Sequence, residues 1–224
     1  MHKSFPIISC LSSLIINRIM TICVRHSYNT NDYNACYRKR EYLTSFEEKC
    51  IAQFLSVINN PTPKILDVGC GSGKPYDQFL LSKNCQLVGV DISKKQIELA
   101  RLNAPSAKYI NINFLRYNTS EKFDGVIMLY SLFHVSREYH RSFLEKIYSM
   151  LNDGGKVLLN VRKEDNLLKF RHDFCGKSMF WSHYDYKTFK KILRETGFKF
   201  EFLGDEKNSG SSESHVWLLL HKKN

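Results

Sequence analysis

The run Ile65-Leu66-Asp67-Val68-Gly69-Cys70-Gly71-Ser72-Gly73 constrains this chain more than any other feature. A short apolar stretch, Lys64 to Val68, feeds directly into glycines at three alternate positions. That reads as a buried parallel strand entering a tight turn. Glycine there lets the backbone take unusual dihedrals and come close to a ligand. In open α/β sheets such a ligand lies beyond the carboxyl ends of the strands, where the strand order reverses.

The flanking sequence alternates between helix and strand. Helical spacing of Leu43, Phe46, Ile51, Phe54 and Leu55 predicts a helix over residues 42–58, which Asn59-Asn60-Pro61-Thr62-Pro63 stops. Pro75 suits the first turn of a second helix carrying Phe79 and Leu80. Residues 86–90 read as a second strand, and Ser93 with Gln96 as a capping box for a helix through Leu102. Strands are predicted at 109–112, 123–129 and 156–161, with a helix at 137–151 ended by Asp153-Gly154-Gly155. Residues 162–184, which include Phe170 and Phe174, break the rhythm and show no clear period. Asp185 then caps a helix through Arg194, Gly197 stops it, and strands at 199–203 and 215–221 form a closing hairpin. The expected fold is therefore α/β: a Rossmann-like, seven-stranded, mostly parallel sheet with helices on both faces and an antiparallel C-terminal strand.

Asp91 ends the second strand in Leu87-Val88-Gly89-Val90-Asp91, eighteen residues beyond Gly73. A carboxylate there can accept hydrogen bonds from both ribose hydroxyls of an adenosine group. A dinucleotide is the rival ligand, but its fingerprint wants G-x-G-x-x-G, and Lys74 stands where the third glycine would fall.

Taken in order, ILDVGCGSG, VGVDIS, FDGVIMLYSLFHV and LNDGGKVLL resemble the motifs of the class I S-adenosylmethionine-dependent methyltransferases, in particular the branch of small-molecule and ubiquinone-biosynthesis-like enzymes. The match covers residues 40–161. The resemblance implies an enzyme with S-adenosylmethionine as cofactor and S-adenosylhomocysteine as product. It also implies that Gly69, Cys70, Gly71 and Gly73 pack against the methionine part, with Asp67 supporting the loop or binding the amino group. Asp91 would hold the ribose, Ile92 the adenine, and Tyr130 and Ser131 the methionine end. The family usually carries an acid after the third strand, facing the adenine amine. Here Asn113 takes that place, followed by Phe114, so somewhat weaker binding is expected.

Methyl transfer to a nucleophile is an in-line displacement, so alignment and exclusion of water supply most of the acceleration. A base helps only where the acceptor must lose a proton. His134, just past the fourth strand, and His183, in Met179-Phe180-Trp181-Ser182-His183, are the catalytic candidates, with His172 less favoured. Each can equally serve the local backbone or cap a helix. Trp181 and Tyr184, with Phe180, form one candidate acceptor wall or simply a packed cover. Tyr37, with Tyr33 and Tyr42, forms the opposite wall.

The formal net charge is +11, from 33 Lys and Arg against 22 Asp and Glu, and it is scattered apart from Arg38-Lys39-Arg40. That leaves nucleic acid open as a partner without favouring it. The rival reading, RNA or protein methylation, lacks an RNA-binding module and the Asn-Pro-Pro-Tyr-like tetrapeptide; Leu129-Tyr130-Ser131-Leu132 stands there instead. A non-catalytic cofactor-binding subunit is a third reading, opposed by the intact glycine loop. A small-molecule acceptor is the favoured partner, on a monomer or homodimer. The seven cysteines show no metal-ligand spacing, so reduced thiols and no metal site are expected. Residues 1–32 form a basic, acid-poor extension, whether leader, docking helix or disordered, ahead of one domain at 33–224. No stretch is long and apolar enough for an integral membrane span. A cytoplasmic location is expected, or an organellar one if residues 1–32 are a targeting leader.

Overall fold

The computed structural model describes residues 41–174, 177–207 and 214–223. The expectations for residues 1–32, for Tyr33 and Tyr37, and for Arg38-Lys39-Arg40 lie outside the described residues.

The first helix, α1 (Ser45–Ser56), starts three residues later than its apolar spacing suggests. Thr44 sets the start: its hydroxyl accepts from the Glu47 amide at 3.2 Å, and the Glu47 carboxylate accepts from the Thr44 amide at 2.8 Å. The chain then alternates through β1 (Lys64–Val68), α2 (Tyr76–Ser82), β2 (Gln86–Asp91), α3 (Lys94–Asn103), β3 (Lys108–Asn111) and β4 (Phe123–Met128). Helix α4 (His140–Met150) follows a short 3-10 turn, and β5 runs from Leu151 to Arg162. Two more strands, β6 (Asn166–Phe174) and β7 (Lys177–His183), precede α5 (Tyr186–Glu195), β8 (Lys199–Lys207) and β9 (Ser214–His221). Ser93 and Asp185 cap α3 and α5 as their side chains suggest, accepting from the Gln96 and Thr188 amides.

Seven strands form one sheet in the order β3-β2-β1-β4-β5-β9-β8. Every pairing from β3 through β5 is parallel, and β9 runs antiparallel to both β5 and β8. The fold is thus the Rossmann-like, mostly parallel sheet with one antiparallel C-terminal strand. The order reverses at β1, whose two neighbours are β2 and β4, and this is the switch point at which such sheets bind ligands.

Each face of the sheet is covered. On one face, Ile51 and Phe54 of α1 and Leu80 of α2 pack on Ile65, Ile127 and Leu158. On the other, Phe143, Leu144 and Ile147 of α4 and Phe189 and Leu193 of α5 pack on Leu66, Val126 and Leu159. Both sets are almost wholly buried, each large apolar side chain contributing about 1.5–3 kcal/mol. This rigid layer holds the carboxyl ends of β1, β2, β4 and β5 in fixed register.

Two further features differ from the sequence reading. Asp153-Gly154-Gly155 does not separate α4 from the fifth strand but lies within the irregular start of β5, where a register shift between Phe123 and Gly125 absorbs the extra residues. The patternless stretch 162–184 forms a two-stranded antiparallel sheet, β6 with β7, apart from the main one. Its pairing slips twice, between Asn166 and Lys169 and between Arg171 and Phe174. Such shifts destroy the period-two alternation by which a strand is recognised.

Candidate functional site

The glycine turn leaves β1 and is pinned at once to β2. The amides of Gly69 and Cys70 donate to the Val90 carbonyl at 2.8 and 3.2 Å. Asp91, one residue further, accepts from the Gly71 amide through Oδ2 at 3.0 Å and from the Ser93 amide through Oδ1 at 2.8 Å. Gly69 has φ +82° and leaves no room for a side chain, since a Cβ there would lie 2.5 Å from Ser131 Cβ. Ser131 in turn donates from Oγ to the Val68 carbonyl at 2.8 Å, tying the end of β4 to the end of β1. Asp67 and Cys70 are buried beneath the loop, with Cys70 Sγ 3.7 Å from the Gly71 carbonyl.

This arrangement suits an adenosine-bearing sulfonium. Asp91 and Ile92 are each partly exposed at the strand end, a carboxylate beside an apolar wall. A carboxylate offers about four acceptor sites. Its two oxygens accept from the Gly71 and Ser93 amides, which fixes the carboxylate at the strand end facing the loop. The floor between β1 and β4 is backbone and small side chains, where Gly69 meets Ser131. Past β3, the Asn111 amide nitrogen and the Ile112 backbone amide both donate to the Asp91 carbonyl. Asn113 uses Oδ1 to cap the short turn Phe114–Arg116, accepting from the Leu115 amide at 3.0 Å. The Phe114 ring is committed to the core, 5.2 Å from Phe143, so what Phe114 can offer a ligand is its backbone.

At the mouth beyond β4 and β5 stands Tyr130, a non-glycine residue at φ +54°. Its amide donates to Asn160 Oδ1 at 2.7 Å, and its hydroxyl donates to Glu206 Oε2 at 2.5 Å, with Glu47 Oε1 3.3 Å away. Tyr76 donates to Glu47 Oε1, at 2.5 Å, and Thr44 to Glu206 Oε1, at 3.0 Å. Burial, then the neighbouring Tyr76 and Glu47, hold the Tyr130 hydroxyl far above the ordinary phenol range, so it is a neutral donor. From Tyr76 a chain of rings crosses the mouth: Tyr130 stacks at 6.4 Å, His215 meets Tyr130 at 4.9 Å, Phe133 meets His215 at 5.5 Å, His134 meets Phe133 at 4.8 Å, and Trp181 meets His134 at 5.7 Å.

The site candidates thus divide. Tyr130, His134 and Trp181 come together in this wall, with Trp181 buried against Phe133 and Met179. Tyr184 lies to one side, its ring under the Arg137 guanidinium and 5.9 Å from His140. His183 is buried, and its Nδ1 lies 2.8 Å from the Glu164 carbonyl, which can only accept; Nδ1 therefore carries the proton. Desolvation, reinforced by Arg162, lowers its pKa, so the imidazole is neutral. Tyr42 is solvent-exposed, and Tyr37 lies outside the described residues.

Glu47, Tyr76, Phe133, Asn160, Glu206 and His215 were not legible as site residues. They come from α1, the start of α2, the turn after β4, and strands β5, β8 and β9, with no common spacing. Asn160 alone left a trace, as a polar residue inside the apolar strand Val157-Leu158-Leu159-Asn160-Val161.

Comparison with known proteins agrees with this geometry. A family profile described as a methyltransferase domain matches residues 65–155. An O-methyltransferase from Aspergillus nomiae is 30% identical over 164 residues, which span 66% of this chain and 70% of that protein. The chain spans about half to seven tenths of the length of the curated relatives it matches. Among solved structures, the Synechocystis magnesium protoporphyrin IX methyltransferase with bound S-adenosylmethionine superposes with a TM-score of 0.70 at 16% identity, over 91% of this chain and 97% of that one. The Burkholderia thailandensis 1,6-didemethyltoxoflavin N1-methyltransferase, with 1,6-didemethyltoxoflavin and S-adenosylhomocysteine bound, gives 0.69 at 14% identity, over 99% and 94%. With its glycine turn, strand-end aspartate, strand order and relatives all in agreement, the chain belongs to the class I S-adenosylmethionine-dependent methyltransferases.

Proposed function

We propose that this enzyme methylates an O, N or S atom of a small-molecule acceptor, bound at the mouth between the glycine loop and the β6–β7 arm. The observation that carries this reading is the ring wall from Tyr76 to Trp181, which adjoins Ser131 and the glycine turn, where the methionine part of the cofactor would lie. Apolar and aromatic linings with a few placed polar groups are what small-molecule sites use. The O-methyltransferase relative and the N1-methyltransferase neighbour support the same class of acceptor.

Bound at the loop, S-adenosylmethionine supplies an electrophilic methyl group on a sulfonium. Gly69, Gly71 and Gly73 would admit its methionine part, and Asp91 would orient the ribose, with Asp67 and Cys70 beneath the loop, Ser131 as its floor, and Ile92 and the backbone at Asn113 and Phe114 flanking the adenine. Tyr130, Trp181 and the β6–β7 arm would exclude water and align the acceptor, where positioning is worth at best about 7–11 kcal/mol. Tyr184, turned toward Arg137, would buttress that arm rather than touch the acceptor. If the acceptor must lose a proton, the candidates are His134, which stands in the wall itself, and His183, a buried neutral imidazole held by the Glu164 carbonyl.

The test is calorimetric titration of S-adenosylmethionine and S-adenosylhomocysteine into purified protein beside an Asp91→Ala control. Saturable binding that the substitution abolishes is expected, followed by turnover in an acceptor screen containing phenols, amines and thiols. Folded wild-type protein that binds neither molecule would refute the reading. Methylation of RNA or protein but of no small molecule would overturn the acceptor class.

A further inference from the structure

Asn160 interrupts an apolar strand and is fully buried, on the register partner of Trp217. Only half of its amide is used. Oδ1 accepts from the Tyr130 amide at 2.7 Å, while Nδ2 has no hydrogen-bond partner among the described residues. A buried donor without a partner costs stability, so the fold alone would favour an apolar residue here. The reason for asparagine therefore lies with Oδ1.

What Oδ1 holds is unusual. Tyr130 sits at φ +54°, a conformation that bulky side chains rarely adopt unless their surroundings impose it. The reversal sends the next residue, Ser131, back across the sheet. There its Oγ bonds the Val68 carbonyl and its Cβ closes against Gly69. A line of contacts thus runs from β5 through the end of β4 to the turn after β1, and Asn160 is its anchor without itself belonging to the glycine loop.

We propose that Asn160 is a positioning residue for the cofactor: by holding Tyr130 in its left-handed conformation, it sets Ser131 as the floor of the glycine loop. This rests on the reading that the loop binds S-adenosylmethionine. The alternative is that Asn160 merely packs.

The experiment is titration of S-adenosylhomocysteine into wild type, Asn160→Ala and Asn160→Asp, with thermal melts of each, repeated in a Tyr130→Gly background. Asn160→Ala should weaken binding roughly tenfold, the effect of losing one hydrogen bond. Its melt should stay cooperative, lowered by a few degrees for the unpaired Tyr130 amide. Asn160→Asp keeps an acceptor toward the Tyr130 amide and should recover part of the affinity. In the Tyr130→Gly background, where glycine takes positive φ unaided, Asn160→Ala should cost less than about twofold. Wild-type affinity in Asn160→Ala would overturn the proposal, as would equal losses in both backgrounds, or a loss that tracks a collapsed melt. Absence of binding by folded wild-type protein would instead sink the cofactor reading, and this inference with it.

Discussion

Gly69→Ala tests the loop geometry most sharply. The added Cβ would sit 2.5 Å from Ser131 Cβ, whereas carbon atoms rest at about 3.5–4.0 Å. One of the two must therefore move by about 1 Å, and neither moves freely. Ser131 is bonded to the Val68 carbonyl, and Tyr130 before it is held at both its amide and its hydroxyl. Gly69 itself is bonded to Val90. The left-handed backbone at φ +82° costs an L-residue about 1–2 kcal/mol, and overpacking adds about 1–3. Together these destabilise the fold by about 2–5 kcal/mol, out of the ~5–15 typical of a native protein. For a chain of this size that lowers the melting temperature by about 4–20 °C. Melts followed by circular dichroism, with and without saturating S-adenosylhomocysteine, read both effects: a lower midpoint, and a smaller ligand-induced rise. A variant that melts within a degree of wild type and gains the same stabilisation from ligand would refute the reasoning.

Three further outcomes follow from the same structure. His140 is buried with Nε2 on the Val135 carbonyl, and desolvation lowers its pKa from 6.5 to about 4. Because the unfolded chain binds the proton more readily, stability is fully present above pH 6.5 and is lost as the pH falls toward 4, by about 3 kcal/mol. His140→Leu should flatten that acid limb in urea melts between pH 4 and 7, and an unchanged limb would count against it. Trp181→Ala removes the wall contact to His134 and should weaken acceptor affinity more than cofactor affinity; the opposite ranking in paired titrations would reject the wall. Of the two histidines, His183→Ala should slow turnover by about 10²–10⁴-fold if a general base is used, with a loss confined to kcat and a changed pH profile. If His134→Ala and His183→Ala both turn over within a fewfold of wild type, neither is the base.

The strand-turn-helix around Gly69 was legible because it is local. Its signal is a run of apolar residues, the absence of Cβ at three positions, and an acid one strand later. The mostly parallel sheet and its antiparallel C-terminal strand also follow from the alternation of elements, whereas the strand order was read only from the fold. The β6–β7 arm was not legible. Its register slips twice, so neither face carries an unbroken alternation. Boundaries moved where a hydrogen bond outweighed spacing, as when Thr44 delays α1 past Tyr42, whose ring stays in solvent.

From its residues alone this chain determined a sheet with a switch point, a glycine turn there and a carboxylate beside it, while its family and cofactor were implied by the resemblance of four motifs across residues 65–159. The turn and its carboxylate lie within about thirty residues, and their dihedral and charge requirements are written in residue type. Tertiary structure alone decided what surrounds the reacting end. Glu47 meets Tyr76, Tyr130 and, through Thr44 and Tyr130, Glu206, although these residues span the chain from α1 to β8. Asn160 reads in sequence as an error in a strand, and in the fold as the anchor of Tyr130. Such contacts depend on which strand ends the folded sheet brings together, a long-range property that no local pattern carries.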